Sequence, residues 1–442
     1  MKYHIWTIGC QMNSSDSLRV AAALEARGYE PTEDLRQADV VVLNTCVVRQ
    51  SAEDRASGFL WSLKPLKERR PSLVIALMGC MVGVRGNGRL RERFPHVDVL
   101  MPPGDVQPLL IYLDQRLPEE RIERCGGDDT PVLPDSLYGQ LVSVPVPVVL
   151  GCNLVCSYCV IPSRRGRERS RNLEVILSEV EALAQSGVRE VVLLGQIVDR
   201  YGYDLGAEAP RLPDLLAAVS EVEGIARVRF LTSHPNYFDD RLIEAVRTLP
   251  KVCEHIEVPI QAGDDVILQR MRRSYSVDDY RRLIERIRAR VPECSIATDV
   301  IVGFPGETEQ QFQNTLRVLA ELEMDVCHVA MYSPRPGTLA ATTMVDDVPP
   351  EEKKRRLDAV NALQEEIAAR INHRLLGQRV EILVEGQQKG KWKGRTRTNK
   401  LVFFSDDSGR DWHGELVEVV ITWTGPWSMQ AELATGHSSE AS

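Results

Sequence analysis

The chain has 442 residues, of which 43% are hydrophobic and 26% are charged, a composition typical of a globular protein of about three domains. This composition excludes a chain that is disordered over most of its length. The formal net charge is −9, so contact with nucleic acid is expected only through local basic patches.

The first 117 residues alternate between strand and helix patterns. Strands are predicted at 3–7, 39–44, 72–78 and 97–100, with helices at 15–27 and 51–67. Strands that alternate with helices indicate a parallel α/β sheet, here of the flavodoxin-like type. We expect this first domain to end at residue 117 and a linker containing glycine and proline to occupy residues 118–142.

Three cysteines of this domain directly follow predicted strands: Cys10, Cys46 and Cys80. The carboxyl ends of parallel strands share one edge of the sheet, so we expect the three thiols to lie together in space. Three buried core cysteines are the alternative, since free cysteine is often buried. The regular placement at strand ends favours a [4Fe–4S] cluster bound in the first domain.

A second α/β region is predicted over residues 143–372. Its six strands lie at 145–150, 190–194, 227–231, 255–258, 295–301 and 326–331, and a charged helix closes it at 349–374. Six βα units predict a partial (β/α)6 barrel.

Cys152, Cys156 and Cys159 follow the first strand of this barrel in a C-x3-C-x2-C pattern. The chain shows no signal peptide and no apolar stretch long enough to cross a membrane, so a cytoplasmic location is expected, where structural disulfides are rare. Three thiolates can bind three irons of a [4Fe–4S] cluster and leave the fourth iron open. A zinc site is the alternative, but structural zinc normally has four protein ligands.

Short β segments from residue 373 to 436 predict a small all-β barrel, followed by a disordered tail at 437–442. A basic stretch at 389–400 supplies the candidate RNA contacts, which are Lys393, Arg395, Arg397 and Lys400. Clustered cations with an aromatic neighbour suit RNA, whereas a solvated strand face is the alternative. A second run of arginines, at 164–171, either contacts RNA or pairs with nearby carboxylates.

The cysteine loop at 152–159 resembles that of the radical S-adenosylmethionine (SAM) enzymes, with Tyr158 as the aromatic residue before the last cysteine. The motifs around Cys10, Cys46 and Cys80 resemble the N-terminal domain of the methylthiotransferases. The resemblance continues through the segments at 232–235, 259–263 and 299–308 and ends in a TRAM-like barrel at 394–400. The Gln-Met-Asn after Cys10 and the Gly-Arg-Thr-Arg-Thr-Asn-Lys segment place the chain nearest the MiaB-type branch.

This resemblance implies a tRNA methylthiotransferase that inserts sulfur at C2 of N6-isopentenyladenosine next to the anticodon and methylates it. It implies two [4Fe–4S] clusters, SAM as methyl donor and radical source, and no catalytic side chain beyond the cluster ligands. The cofactor-binding candidates are Tyr158, Gln196, Gln261 and Asp299. Expected partners are tRNA, an electron donor such as flavodoxin or ferredoxin, and a sulfur donor. The protein itself is expected to be a monomer.

Two segments depart from the family pattern. Ile197-Val198-Asp199 replaces the usual Asn-Val-Asn, and Ser163-Arg164-Arg165-Gly166 replaces Tyr-Thr-Arg-Gly. Methylthiolation of N6-threonylcarbamoyladenosine in tRNA or of a ribosomal-protein aspartate therefore stays open. A non-catalytic RNA-binding protein with zinc in the cysteine loop is the alternative from another class.

Overall fold

Alternating buried strands and amphipathic helices produce a five-stranded parallel sheet at the start of the chain. The computed structural model describes residues 1–48, 50–84, 88–116 and 132–434. The strands are β1 (Lys2–Thr7), β2 (Glu30–Pro31), β3 (Val40–Thr45), β4 (Val74–Gly79) and β5 (Val99–Met101). Their order, β2-β1-β3-β4-β5, is the flavodoxin-like order, as the sequence predicts.

Helices cover both faces of this sheet, as a parallel sheet requires. They are α1 (Gln11–Glu25), α2 (Gln50–Arg69), α3 (Gly88–Arg93) and α4 (Gln107–Asp114). The central strands β3 and β4 are buried at every residue, which explains their unbroken runs of apolar side chains. The two-residue β2 is too short to leave a recognisable pattern, and sequence analysis missed it.

Six parallel strands in chain order form the predicted partial barrel. They are β6 (Ser143–Pro147), β9 (Glu190–Leu194), β10 (Arg227–Leu231), β11 (His255–Glu257), β12 (Ser295–Val302) and β13 (Val326–Met331). They group as two three-stranded sheets, and backbone hydrogen bonds such as Cys253 N to Val228 O, 2.9 Å, join the two halves. Two short antiparallel strands, β7 (Val149–Leu150) and β8 (Arg169–Ser170), bracket the cysteine loop.

The helices of this part surround one large apolar core. They are α5 (Ile161–Arg165), α6 (Leu173–Gln185), α7 (Leu212–Ser220), α8 (Asp240–Thr248), α9 (Asp265–Arg270), α10 (Val277–Arg290), α11 (Glu309–Leu322), α12 (Leu339–Thr343) and α13 (Pro350–His373). Helix α13 packs on β13 and leads to the C-terminal barrel.

The last part is a closed five-stranded barrel, as predicted. Its strands are β14 (Arg379–Gln388), β15 (Lys391–Thr396), β16 (Leu401–Phe404), β17 (Leu416–Thr424) and β18 (Met429–Leu433). Most of the predicted linker, and the predicted tail at 437–442, lie outside the described residues. No helix in the described part of the chain is both long enough and apolar enough to cross a bilayer.

Candidate metal centres

The three first-domain cysteines lie at one edge of the sheet. Cys10 caps the N-terminus of α1, Cys46 follows β3, and Cys80 follows β4. Cys80 N donates to Thr45 O at 2.9 Å, which places the β3 and β4 loops side by side. The electrostatic influence of Cys10 and Cys46 on Cys80 indicates that the three thiols are neighbours, as the sequence predicts for a shared strand edge.

A buried amide pair fixes the relative positions of these loops. Asn13 Nδ2 donates to Asn44 Oδ1 at 2.8 Å, and Asn44 Nδ2 donates back to Asn13 O at 2.8 Å. Asn13 thus ties the start of α1, where Cys10 lies, to the end of β3, just before Cys46. Gly79 has φ +97°, and a Cβ there would stand 2.5 Å from Thr45 O, so only glycine permits this close approach.

The second-domain cysteines form a compact loop on the barrel. The loop starts at Gly151, which has φ +72°. Only glycine fits this position, because a Cβ there would lie 2.2 Å from Arg167 O. Cys159 N donates to Cys156 O at 3.1 Å, and Ser157 N donates to Met271 O at 3.0 Å. The loop is therefore folded on itself and anchored to the end of α9.

Aromatic rings and one partly buried cation pack behind this loop. Tyr158 packs edge-on against Phe304, with their ring centroids 6.4 Å apart. Arg273 Nη1 donates to Cys156 Sγ at 3.5 Å, and its Nε donates to Tyr275 Oη at 2.8 Å. Sequence analysis missed Arg273, because its partner Cys156 lies far away along the chain.

The chemistry of both donor sets suits iron–sulfur ligation. Val48 N donates to Cys46 Sγ at 3.3 Å, and Leu154 N donates to Cys152 Sγ at 3.4 Å. Backbone N–H groups that point at sulfur stabilise thiolates in cluster sites. Burial raises the pKa of the Cys80 thiol to about 11 and that of Cys159 to about 12, and a bound metal would deprotonate such thiols.

The number of donors in each triplet suits a cluster better than a structural zinc ion. Among the described residues, no group of three or more Cys, His, Asp and Glu side chains forms a site for a single metal ion. Structural zinc normally has four protein ligands, whereas each triplet offers three thiolates. A four-iron cluster binds each thiolate through a different iron.

The candidate SAM residues lie at the same edge of the barrel but in both of its halves. Gln261, with φ +73°, is buried, and its N donates to Asp299 O at 2.8 Å. Asp299 lies on β12 beside it, and Tyr158 lies in the cysteine loop. Gln196 follows β9 in the other three-stranded sheet. The roles of these four residues stay predictions.

Three of the four candidate RNA residues are engaged by other protein groups. Arg397 pairs with Glu254 at 2.7 Å, and Lys400 pairs with Asp325 at 2.7 Å, both across the junction between the C-terminal barrel and the partial barrel. Arg395 pairs with Glu385 at 3.0 Å within the C-terminal barrel. Their role as RNA ligands stays a prediction, and it would require these pairs to open.

The turn between β15 and β16 covers the base of the partial barrel. From β10, Arg229 donates to Arg397 O at 2.6 Å and to Thr396 O at 2.7 Å. A cavity of about 310 Å³ remains between the two barrels, lined in part by His255, His328 and Lys400. The C-terminal barrel therefore covers the base of the partial barrel.

The other cations divide into exposed and paired groups. Lys389 is exposed, and Lys391 and Lys393 are partly exposed on the C-terminal barrel. Lys393, the fourth candidate, is in no ion pair among the described residues. In the arginine run, Arg167 and Arg169 are exposed, whereas Arg165 and Arg171 pair with Asp16 and Glu179.

Three family models match the chain in the order of its three parts. Residues 2–102 match the uncharacterized protein family UPF0004, residues 146–319 match the radical SAM superfamily, and residues 373–434 match the TRAM domain. The predicted radical-SAM and TRAM-like folds are confirmed. The domain limits at 117, 142 and 372 stay predictions.

Solved structures share the fold at low sequence identity. The radical S-adenosylmethionine methyltransferase TsrM from Kitasatospora setae, solved with cobalamin and a [4Fe–4S] cluster, matches with a TM-score of 0.55 and 14% identity over 77% of each chain. The cobalamin-dependent S-adenosylmethionine radical enzyme OxsB matches with a TM-score of 0.53 and 11% identity, over 82% of this chain and 56% of that one.

Curated relatives match almost the whole chain. A tRNA-2-methylthio-N(6)-dimethylallyladenosine synthase from Roseiflexus sp. (strain RS-1) is 48% identical over 98% of this chain and 90% of its own length. The protein of the same name from Chloroflexus aurantiacus is 47% identical over 97% and 91%. The predicted family is thereby confirmed, and with it an enzyme that uses SAM and a [4Fe–4S] cluster. The chain belongs to the tRNA-2-methylthio-N(6)-dimethylallyladenosine synthases, a family of radical-SAM methylthiotransferases.

Proposed function

We propose that this chain methylthiolates C2 of N6-isopentenyladenosine next to the anticodon of tRNA and uses two [4Fe–4S] clusters to do so. Cys152, Cys156 and Cys159 hold one cluster. The three first-domain cysteines hold the other. The observation that carries the proposal is that two separate cysteine triplets occur, each gathered at the carboxyl edge of a parallel sheet.

The geometry of the domain junction supports two cooperating sites. Helix α5 starts two residues after Cys159, and its last residue, Arg165, reaches the first-domain cysteines. A segment of five residues thus connects the surroundings of one triplet to those of the other. A shared reaction space between the two triplets follows from this proximity.

Each triplet would supply three thiolates to a four-iron cluster and no fourth ligand. When bound, the second-domain cluster supplies the electron that cleaves SAM and the first-domain cluster carries the sulfur that is transferred. Tyr158, Gln261 and Asp299 line the second site and orient SAM. Buried rings such as Phe304 exclude water, which protects a radical reaction from side reactions.

The nucleoside to be modified enters from the cysteine edge, because the β15–β16 turn covers the opposite end of the partial barrel, while other parts of the tRNA contact the C-terminal barrel. We assign its phosphate contacts to Lys393 with Lys389 and Lys391, and to the exposed Arg167 and Arg169. An electron donor such as flavodoxin or ferredoxin and a separate sulfur donor complete the reaction, which a monomer performs.

Single-cysteine variants test the two-cluster assignment. The wild-type protein should hold about eight irons with matching sulfide, and Cys46→Ala or Cys156→Ala should hold about four. We expect Cys156→Ala to make no 5′-deoxyadenosine, and Cys46→Ala to make it without methylthiolated product. Cys294→Ala, a buried cysteine outside both triplets, is the control and should behave as wild type. Product formation by Cys46→Ala would contradict the role of the first triplet.

Nucleoside mass spectrometry tests the substrate. tRNA from a deletion strain should accumulate N6-isopentenyladenosine, and the purified enzyme should convert it to the 2-methylthio form. Conversion of N6-threonylcarbamoyladenosine instead would show that the departures at Ile197 and Asp199 have changed the substrate.

A further inference from the structure

Helix α5 carries one arginine of the radical-SAM region into the first domain. Arg165 is the last residue of this helix and is 8% exposed. Its Nη2 pairs with Asp16 Oδ2 on α1 at 3.2 Å, and both side chains are almost fully buried. A buried pair of this kind is expensive to desolvate, so it is weak evidence for stability and raises the question of what else it does.

The same guanidinium lies beside the loop that carries the first-domain cysteine Cys80. Helix α5 contacts this loop, where Val84 N donates to Arg164 O at 2.9 Å, and the charge of Arg165 acts on Cys80 and Cys10. Arg273 has a comparable place in the other triplet, where it donates to Cys156 Sγ. Each cysteine triplet therefore has one arginine close to its sulfurs: Arg165 is buried and Arg273 is partly buried.

Other contacts already hold the two domains together. Val84 N donates to Arg164 O at 2.9 Å across the junction. Arg19 pairs with Glu179 at 2.7 Å, and Arg335 pairs with Glu53 at 3.2 Å. Because the junction has these further attachments, docking alone does not explain why a cation is buried at Cys80.

A cation beside a ligating thiolate stabilises negative charge on the sulfur. Hydrogen bonds to cluster sulfurs and the net charge nearby are two of the factors that set the reduction potential of an iron–sulfur cluster. Reduction adds one negative charge, so a buried guanidinium favours the reduced form. A planar donor with a permanent charge suits this task, since arginine stays protonated even when buried.

Resting on the proposed function, we propose that Arg165 completes the first-domain cluster site from the neighbouring domain: it positions Cys80 and raises the reduction potential of the cluster held there. The site is then complete only while the two domains are docked. Asp16 acts as the anchor that keeps the guanidinium directed at the sulfur.

The test measures the midpoint potential of the first-domain cluster in the full-length holoprotein. Changing Cys152, Cys156 and Cys159 to Ala removes the other cluster's signal, and spectroscopic redox titration then reads the remaining one. In this background, Arg165→Gln should shift the reduction equilibrium about tenfold towards the oxidised form, or about 59 mV for one electron. Arg165→Lys should keep most of the potential, because it keeps the charge.

Two controls separate a tuning role from a structural one. Arg36→Gln removes a fully solvated cation from the same domain and should leave the potential unchanged. The double variant Arg165→Met with Asp16→Leu replaces the buried pair by apolar groups, which often preserves stability. A purely structural pair predicts a wild-type potential for this double variant, whereas our proposal predicts a lowered one.

The remaining outcomes are equally decisive. Full iron content with an unchanged potential in Arg165→Gln overturns the proposal. If Arg165→Gln and Arg165→Lys both lose the cluster and the junction becomes sensitive to protease, the role is structural and the proposal is also overturned. Loss of the cluster in Arg165→Gln alone supports it. A wild-type protein with about four irons would instead contradict the proposed two-cluster function.

Discussion

Asp199 is an acidic side chain in a place that suits an amide. It is buried, its Oδ2 accepts a hydrogen bond from His234 N at 2.8 Å, and its Oδ1 has no partner in the described part of the chain. Burial raises the pKa of Asp199 to about 8, although the hydrogen bond from His234 N opposes the shift. The folded protein thus holds a neutral carboxylic acid, which has nearly the shape of asparagine.

The raised pKa of Asp199 makes the free energy of unfolding depend on pH. An aspartate is ionised above a pKa of about 3.9 when unfolded, so the folded state binds one more proton than the unfolded state between about pH 4 and 8. The contribution of Asp199 to the free energy of unfolding is fully present below about pH 4 and is lost as the pH rises to about 8. We expect Asp199→Asn to raise the thermal midpoint at pH 9 relative to wild type, by the equivalent of at least about 2 kcal/mol, and to matter little at pH 4.

Differential scanning calorimetry from pH 4 to 9 measures the thermal midpoints of the two proteins. Asp407→Asn, at an exposed position on the C-terminal barrel, is the control and should leave the pH profile unchanged. A parallel pH dependence in Asp199→Asn and wild type would show that Asp199 is ionised in the folded protein.

At the scale of elements, the β15–β16 turn is a docking element. Arg397 makes two hydrogen bonds to the Glu254 carboxylate, at 2.7 and 2.8 Å, and donates to the carbonyls of Pro250 and Val252. The pair is about three-quarters buried, so solvent screens it less than a surface pair.

We expect Arg397→Ala to destabilise the attachment of the C-terminal barrel by about 1–3 kcal/mol, because charged hydrogen-bond partners are left unpaired. A double-mutant cycle with Glu254→Gln, read by urea unfolding, should give a coupling energy of about 1–2 kcal/mol. The exposed pair Arg379–Glu418 on the same barrel is the control and should couple by less than about 1 kcal/mol. Equal coupling of the two pairs would argue against a docking role.

For the whole molecule, RNA binding should depend on the exposed Lys389 and the partly exposed Lys391 and Lys393 more than on the cations that pair across the barrel junction. We expect the triple change of Lys389, Lys391 and Lys393 to Ala to weaken tRNA binding and to lower the log–log salt slope by up to about 3 units. SAM cleavage with a chemical reductant should persist, since these lysines lie on the C-terminal barrel. Lys354→Ala, an exposed lysine on α13, serves as the control.

The tRNA affinities of the wild type, the triple lysine variant and Lys354→Ala, measured at several salt concentrations, test this prediction. An unchanged affinity and slope would assign the RNA to Arg167 and Arg169 at the cysteine edge.

Local patterns were sufficient to predict much of the fold. The β-branched run predicted at 39–44 is strand β3 (Val40–Thr45), and Cys10, Cys46 and Cys80 lie at one edge of the first sheet, as predicted. Local patterns contain this information because strand periodicity depends on neighbouring residues. The charged helix predicted at 349–374 is observed at Pro350–His373, because proline suits the first turn of a helix.

Long-range pairing could not be predicted in the same way. The sequence of the basic run at 389–400 does not show whether its cations contact RNA or pair with carboxylates. Two of its cations pair with Glu254 and Asp325, which directly precede β11 and β13 and lie far away along the chain. Arg165 and Arg273 were not assigned to the cysteines for the same reason: each contacts a sulfur whose position only the folded chain determines.

The contact between Arg165 and Cys80 also bears on how the protein is made. Domains emerge from the ribosome in order, at roughly 5–20 residues per second, and each tends to fold as it appears. The first-domain cysteines are therefore exposed for several seconds before Arg165 has been translated. During that interval the thiols are open to oxidation, and metal loaded early would lack its neighbouring cation. Insertion of the proposed first-domain cluster would therefore suit a late step of biogenesis, after the chain has left the ribosome.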